Sequence, residues 1–298
     1  MRNLLQDLRY VLKATWEEES NRGQRIRRLA YLVTWQLWKR LVRPPIQLRL
    51  FNGMSFLAYP DCDMSSAAVY YRIPDSRDIL FLRAHVHGGT LIDVGANVGL
   101  IALLLADKVD HALLFEPNPV AAARARANLA INGLQFEVNE LALSDTTGTV
   151  EFEDAGGAST CNRIVAGIAT NLPTRKVQCT EFDRFLGVRQ LSRPITVVKI
   201  DVEGHENQVL RGMAQCLKHH RPRLVMFEYL QRTDLQETFR IFESAGYLVL
   251  QLSGNGPQLA TPQAAPLQNL FACPRELLQE FVTEDPPESA REEVRIAG

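Results

Sequence analysis

The chain has 298 residues, 46% of them hydrophobic and 22% charged, with a formal net charge of −1. That composition belongs to a soluble globular protein with one sizeable core, and the near-neutral charge argues against a nucleic-acid partner. The charge is uneven, because residues 1–45 hold ten Lys/Arg against four Asp/Glu.

The first segment, to about Leu41, reads as helical, with Ile26, Leu29, Val33 and Leu37 spaced for one apolar face, and Pro44-Pro45 ends it. From Ile46 to Tyr71 short alternating stretches with turns at Asn52-Gly53 and Pro60-Asp61 predict a small β-hairpin unit. From Thr90 strands and helices alternate, the mark of a parallel sheet with crossover helices. Strands are expected at Thr90–Gly95, Ala112–Glu116, Phe136–Ala142, Ile195–Asp201 and Arg223–Tyr229, with two late ones at Tyr247–Leu252 and Leu267–Ala272. Asn118-Pro119 supplies a cap and a first-turn proline for a helix that Asn132-Gly133 stops. Residues 144–180 look irregular, with a turn at Asp145–Gly148 and an insertion at 154–163. A helix runs from about His205 to Leu217, and Thr233 with Gln236 forms a capping-box pattern before another. The division expected is a basic amphipathic helical extension (1–45), a hairpin segment (46–75), a catalytic domain (76–282) and a disordered tail (283–298). The cysteines at 62, 161, 179, 216 and 273 lack any C-x-x-C pair and read as free thiols in a reducing compartment. Asp7, Lys13 and Glu17–Glu19 interrupt any signal peptide, and the uncharged stretch Leu29–Trp38 is about half of the ~20 residues a spanning helix needs. A cytoplasmic enzyme is expected.

Three features carry chemistry. The run Asp93-Val94-Gly95-Ala96-Asn97-Val98-Gly99 lies where a strand turns into a helix. Glycines there let the backbone approach a ligand, and the two-glycine spacing departs from the G-x-G-x-x-G of pyrophosphate binders. It suits a cofactor with a carboxylate and no phosphate. Glu116 closes the next strand, where an acidic side chain accepts hydrogen bonds from ribose hydroxyls. Asp93 and Gly95 would then hold the amino-acid end and Glu116 the ribose of an adenosine-type cofactor. The third feature is Lys199-Ile200-Asp201-Val202-Glu203-Gly204-His205-Glu206. Lys199 is read as pairing with Glu228 and Glu206 as facing solvent, whereas Asp201, at a strand end facing the ligand crevice, is read as functional.

These residues, with Phe115-Glu116-Pro117, Asn128, Asn132 and Ala142-Leu143-Ser144-Asp145, make the chain resemble the FkbM family of S-adenosylmethionine-dependent O-methyltransferases over roughly Ile73 to Pro274. The resemblance implies an α/β fold with a Rossmann-like, seven-stranded, mostly parallel sheet of the class I methyltransferase type, its last strand antiparallel and helices on both faces. It implies S-adenosylmethionine as cofactor and methyl transfer to a hydroxyl of a sugar, glycolipid or secondary metabolite. The cofactor contacts expected are Asp93, Gly95, Ala96, Asn97, Gly99, Glu116, Pro117, Glu140, Ala142 and Asp201. Asp201 is the first candidate to orient or deprotonate the acceptor, His205 the second, with Glu203 beside them. Walls for the acceptor are expected from residues 46–75 and 154–170.

A divalent metal on Asp201, Glu203 and Glu228 is the minority alternative; clustered carboxylates do not require one, and none is assigned. An NAD-linked oxidoreductase is disfavoured by the missing middle glycine, and a non-catalytic binding module by the three coincident motifs. Residues 1–45 leave two readings: peripheral contact with the inner face of an anionic membrane, or packing on the catalytic domain or a second subunit of a homo-oligomer.

Overall fold

The computed structural model describes residues 4–153, 162–165, 172–189, 191–230, 233–254, 256–263 and 269–282. The expected disordered tail and most of the 154–163 insertion lie outside the described residues.

The amino-terminal segment is two helices rather than one. α1 (Leu4–Glu17) and α2 (Arg25–Leu41) are joined by a 3-10 turn over Glu19–Gln24. Asn21 holds the break: it is fully buried, its amide donates to the carbonyls of Thr15 (2.9 Å) and Tyr70 (3.0 Å), and its oxygen accepts from the Arg72 amide (2.9 Å). The face read as apolar is largely left in solvent. Ile26 is 81% exposed and Val33 and Leu37 each 51%, while Leu32 and Trp35 are the buried pair. The Trp35 indole N–H donates to Ser66 Oγ (3.0 Å), so the aromatic ring finds both an apolar bed and a polar partner on that side.

The hairpin forms as expected, with β1 (Ile46–Arg49) antiparallel to β2 (Ser55–Ala58) and Gly53 at φ +86° in the turn. Two helices follow it, α3 (Asp63–Tyr70) and α4 (Ser76–His85). The alternating part of the chain then runs β3 (Thr90–Val94), α5 (Leu100–Leu104), β4 (His111–Phe115), α6 (Pro119–Ala130) and β5 (Glu137–Asn139). Asn118 caps α6 by accepting from the Val120 and Ala121 amides, with Pro119 in the first position.

The expected strand 136–142 is split: β5 ends in the main sheet, and β6 (Ala142–Leu143) joins β7 (Gly148–Glu153) and β8 (Thr174–Thr180) in a separate three-stranded sheet of order β6-β8-β7. Thus part of the stretch read as irregular is β structure. After α7 (Phe182–Gly187) come β9 (Ile195–Ile200), α8 (Glu206–Gly212), β10 (Leu224–Glu228), α9 (Leu235–Ser244), β11 (Tyr247–Ser253), β12 (Gly256–Leu259), β13 (Asn269–Pro274) and α10 (Leu278–Phe281). The cap of α9 is Asp234, which accepts from the Glu237 amide, not Thr233.

The main sheet has the order β12-β11-β13-β10-β9-β3-β4-β5. β5, β4, β3, β9 and β10 are parallel, and β13 enters antiparallel between β10 and β11. Seven strands therefore follow the expected arrangement, and β12 adds an eighth as a hairpin partner of β11 on the edge. β3 and β9 are buried along their whole length, because helices cover both faces of the sheet. Cys62, Cys179, Cys216 and Cys273 are free thiols. Among the described residues no helix is long and apolar enough to cross a membrane.

Candidate active site

From β3 the chain proceeds outward to β4 and β5, then returns to the other side of β3 to lay down β9 and β10. The crossovers part between β3 and β9, and in an open α/β sheet the crevice beyond the strand ends at such a point is where ligands bind. A cavity of about 310 Å³ lies there.

One wall is the loop after β3. Gly95 has φ +73°, and a Cβ on it would stand 1.9 Å from the Asp201 carbonyl oxygen, so no side chain fits. The amides of Gly95 and Ala96 donate to the Phe115 carbonyl (2.9 and 3.1 Å), which locks the loop onto β4. Glu116 completes the lock: one carboxylate oxygen accepts from the Asn97 amide and the other from the Asn118 amide, each at 2.8 Å. Burial pushes the Glu116 carboxyl up to about 7, against the pull of those two amides. Asn128 on α6 donates to the Val98 carbonyl (2.9 Å) and accepts from the Leu57 amide (2.7 Å), while Asn132 accepts from the Ser55 amide (2.8 Å) and donates to the Ser55 carbonyl (2.7 Å). The two asparagines thus fasten β2 to α6, and Asn128 fastens both to the glycine loop.

The opposite wall is acidic and centres on Lys199. Its ammonium donates to the Gly95 carbonyl (2.9 Å) and lies 3.5 Å from Asp93 and 3.4 Å from Asp201. Burial opposes its charge, but the Asp201 and Asp93 carboxylates prevail and hold its pKa above the ordinary lysine value. The expected Lys199–Glu228 pair does not form. Strand register explains why: Lys199 stands directly across from Asp93 on β3, whereas its partner on β10 is Met226 and Glu228 lies two residues further on. Asp201, Glu203 and Glu228 bring carboxylate oxygens within 4.8 Å of one another. Burial, then Asp201, Glu203 and Glu206, push the Glu228 carboxyl up to about 8, and its buried Oε2 has no hydrogen-bond partner.

Several expected site residues sit elsewhere. Asp93 is fully buried beneath the loop with Lys199, and burial raises its pKa. Ala96 and Gly99 shape the turn without lining the cavity, whereas Gly95, Asn97, Glu116, Pro117, Ala142, Asp201 and Glu203 do line it. Glu140 is exposed and pairs with Arg126 at 3.6 Å, away from the cavity, because the chain leaves the main sheet after β5. His205 is buried, its Nε2 2.9 Å from Ser144 Oγ, and burial lowers its pKa to about 4; it does not reach the cavity. Glu206, expected in solvent, is fully buried and accepts from the Gly204 amide (2.9 Å) and Thr233 Oγ1 (3.2 Å), which braces the turn where Glu203 has φ +57°.

Sequence reasoning missed Lys199 as the hub; it grouped Glu228 with Asp201 and Glu203 only as possible metal ligands, and it expected a wall from residues 46–75, where Asp63, Met64 and Ala67 of α3 line the cavity. An adenosine-type cofactor fits what is present. Phe115, Pro117, Leu141 and Leu143 give apolar surface for a base beside Glu116, whose oxygens keep acceptor capacity for hydroxyls beyond the amides they already bind.

The family model for the Methyltransferase FkbM domain matches residues 93–249. Hexuronic acid methyltransferase AglP of Haloferax volcanii is 29% identical over 160 residues, which are 52% of this chain and 64% of that protein; the chain spans just under two thirds of its length. Among solved structures, Methyltransferase FkbM from Methylobacillus flagellatus is 14% identical with a TM-score of 0.41, over 83% of this chain and 59% of that one. The tRNA (uracil-54, C5)-methyltransferase of Pyrococcus abyssi, in complex with S-adenosyl-L-homocysteine, is 16% identical with a TM-score of 0.39, over 77% of this chain and 43% of that one.

Proposed function

This chain belongs to the FkbM methyltransferase family, and we propose that it carries the methyl group of S-adenosylmethionine to a hydroxyl of a sugar-type acceptor. The observation that supports this best is the two-sided cavity, with the glycine loop and Glu116 on one wall and Asp201, Glu203 and Glu228 on the other. S-adenosylmethionine, when bound, supplies a sulfonium methyl group open to in-line displacement.

Glu116 accepts from the ribose hydroxyls, Phe115 and Pro117 bound the base, and the loop at Gly95 and Asn97 meets the amino-acid end. The acidic wall takes the acceptor. Asp201 orients the hydroxyl and draws off its proton, and Glu228, which brings a carboxylate oxygen within 4.8 Å of the other two acids and whose Oε2 has no hydrogen-bond partner, can share it. A positioned base contributes ~10²–10⁴-fold, and alignment of the two reactants on the order of 7–11 kcal/mol. His205 takes no part, since its ring is committed to Ser144. A sugar acceptor is supported by the relative that methylates hexuronic acid, and carboxylates at a strand edge are apt acceptors for sugar hydroxyls.

The test is Asp201→Asn. Turnover on uronic-acid glycans, followed by mass spectrometry, should fall ~10²-fold or more while S-adenosylmethionine affinity by calorimetry stays within a few-fold. Loss of cofactor binding together with turnover would move Asp201 to the cofactor site. Binding of NAD instead of S-adenosylmethionine would overturn the reading.

A further inference from the structure

A second cavity, of about 660 Å³, lies behind α3. Asp63, Met64 and Ala67 of that helix face the methyl-transfer cavity, and the next two residues, Ala68 and Val69, face this one. Its lining includes four arginines, Arg27, Arg28, Arg49 and Arg72, and, among the described residues, no carboxylate. Arg27, Arg28 and Arg49 have no ion-pair partner among the described residues.

Arg28 is the most exceptional of them. Its Nε is buried without a hydrogen-bond partner, and among the described residues its guanidinium makes one long hydrogen bond, of 3.4 Å, to the Val69 carbonyl. Burial lowers its pKa to about 10, with Arg27 and Arg72 adding to the effect against Tyr31. The guanidinium groups of Arg27 and Arg28 lie 5.2 and 5.8 Å from the centre of the Tyr31 ring, so Tyr31 gathers two cations at one place. Trp35, Trp38, Leu48 and Phe51 give the lining an apolar part, beside the polar Gln24, Thr34 and Gln47.

Arg28 is half-buried, Arg27 and Arg49 stand exposed at the rim, and a part-buried cation such as Arg28 without a counter-charge is costly unless something supplies that charge. The guanidinium fork matches the tetrahedral oxygens of a phosphoryl group, and the aromatic wall suits an apolar body. The volume is within the ~300–1,000 Å³ usual for small-molecule sites. We propose that this cavity binds a phosphate ester with an apolar tail, its phosphoryl group held by Arg27, Arg28 and Arg49 and its tail by Trp35, Trp38 and Phe51. The ester is either soluble or set in a lipid surface, for which the exposed Ile26, Val33 and Leu37 of the same helix offer an apolar edge. The site is independent of the methyl-transfer reading, because no residue lines both cavities.

The experiment is calorimetric titration of the full-length chain with octyl phosphate below its micellar concentration, and sedimentation with phosphatidylcholine vesicles containing phosphatidic acid. Parent protein should bind octyl phosphate. Arg28→Gln and Arg49→Gln should each weaken that binding roughly tenfold or more, and Arg40→Gln, an exposed α2 position off the cavity, should leave it unchanged. Co-sedimentation that Arg28→Gln abolishes assigns the lipid source; octyl phosphate binding without co-sedimentation assigns a soluble ester, and both support the site. No binding of octyl phosphate, or equal binding by parent and both cavity variants, overturns it. Should Arg28→Gln fail to fold by thermal unfolding, Arg49→Gln on the exposed hairpin decides alone.

Discussion

Two cavities share α3, and they handle charge in opposite ways. The methyl-transfer cavity is lined by Asp63, Glu116, Asp201, Glu203 and Glu228, and carries its own counter-ion in Lys199. The second has arginines and, among the described residues, no carboxylate on its wall. Where the fold supplies the opposite charge, as Lys199 does for Asp93 and Asp201, the groups become part of the scaffold. Where it does not, as at Glu228 and Arg28, an unpartnered carboxyl oxygen or an open cation is left for a ligand.

The largest effect that would sharpen this contrast is at the counter-ion. Lys199→Met leaves Asp93 buried without its cation and should cost ~3–5 kcal/mol in urea unfolding. A loss below about 1 kcal/mol would show that the acidic wall is not compensated from within. Next comes Asn128→Ala, which strands the Leu57 amide and the Val98 carbonyl and should cost ~1–3 kcal/mol for each group left unpaired. It should also loosen the β1–β2 hairpin, read by faster amide exchange at Leu57.

Glu116→Gln keeps the volume but offers one carbonyl oxygen where two carboxylate oxygens each meet an amide. S-adenosylmethionine affinity should fall tenfold or more, on the scale of ~1.5–3 kcal/mol for hydrogen bonds to a charged group; unchanged affinity in a folded variant removes the ribose assignment.

The smallest effect is a pH slope. Glu228 holds its proton more firmly folded than unfolded, with its pKa raised from 4.5 to about 8. Its contribution is therefore fully present below the lower value and is lost as pH rises toward the upper one. Glu228→Gln should abolish that slope, so that the variant gains on the parent between about pH 5 and about pH 9 in denaturant midpoints. Parallel curves for the two proteins would mean that Glu228 is not strained by its acidic neighbours.

Much of the architecture was legible. The buried strands β3 and β9 are near-continuous apolar runs, Asn118-Pro119 is a local helix start, and the glycine loop sits where a strand must turn sharply. The face of α2 was not legible, because its aliphatic stripe is left in solvent while Trp35 is drawn inward by Ser66 on a helix distant in sequence. The roles of Asn128 and Asn132 were equally hidden, since their partners on β2 lie more than seventy residues away.

The sequence by itself determined the features set by local conformation and periodicity: the central strands β3, β4, β9 and β10, the positive-φ turn at Gly95 and the acidic strand ends at Glu116 and Asp201. The tertiary structure alone decided which charges meet. The register of β9 sets Lys199 across from Asp93 instead of Glu228, packing turns His205 to Ser144, and the separation of β6 from the main sheet carries Glu140 away from the cavity. The physical reason is that a turn or a strand responds to its neighbours in the chain, whereas a buried charge responds to whichever groups the packed sheet brings within a few ångströms.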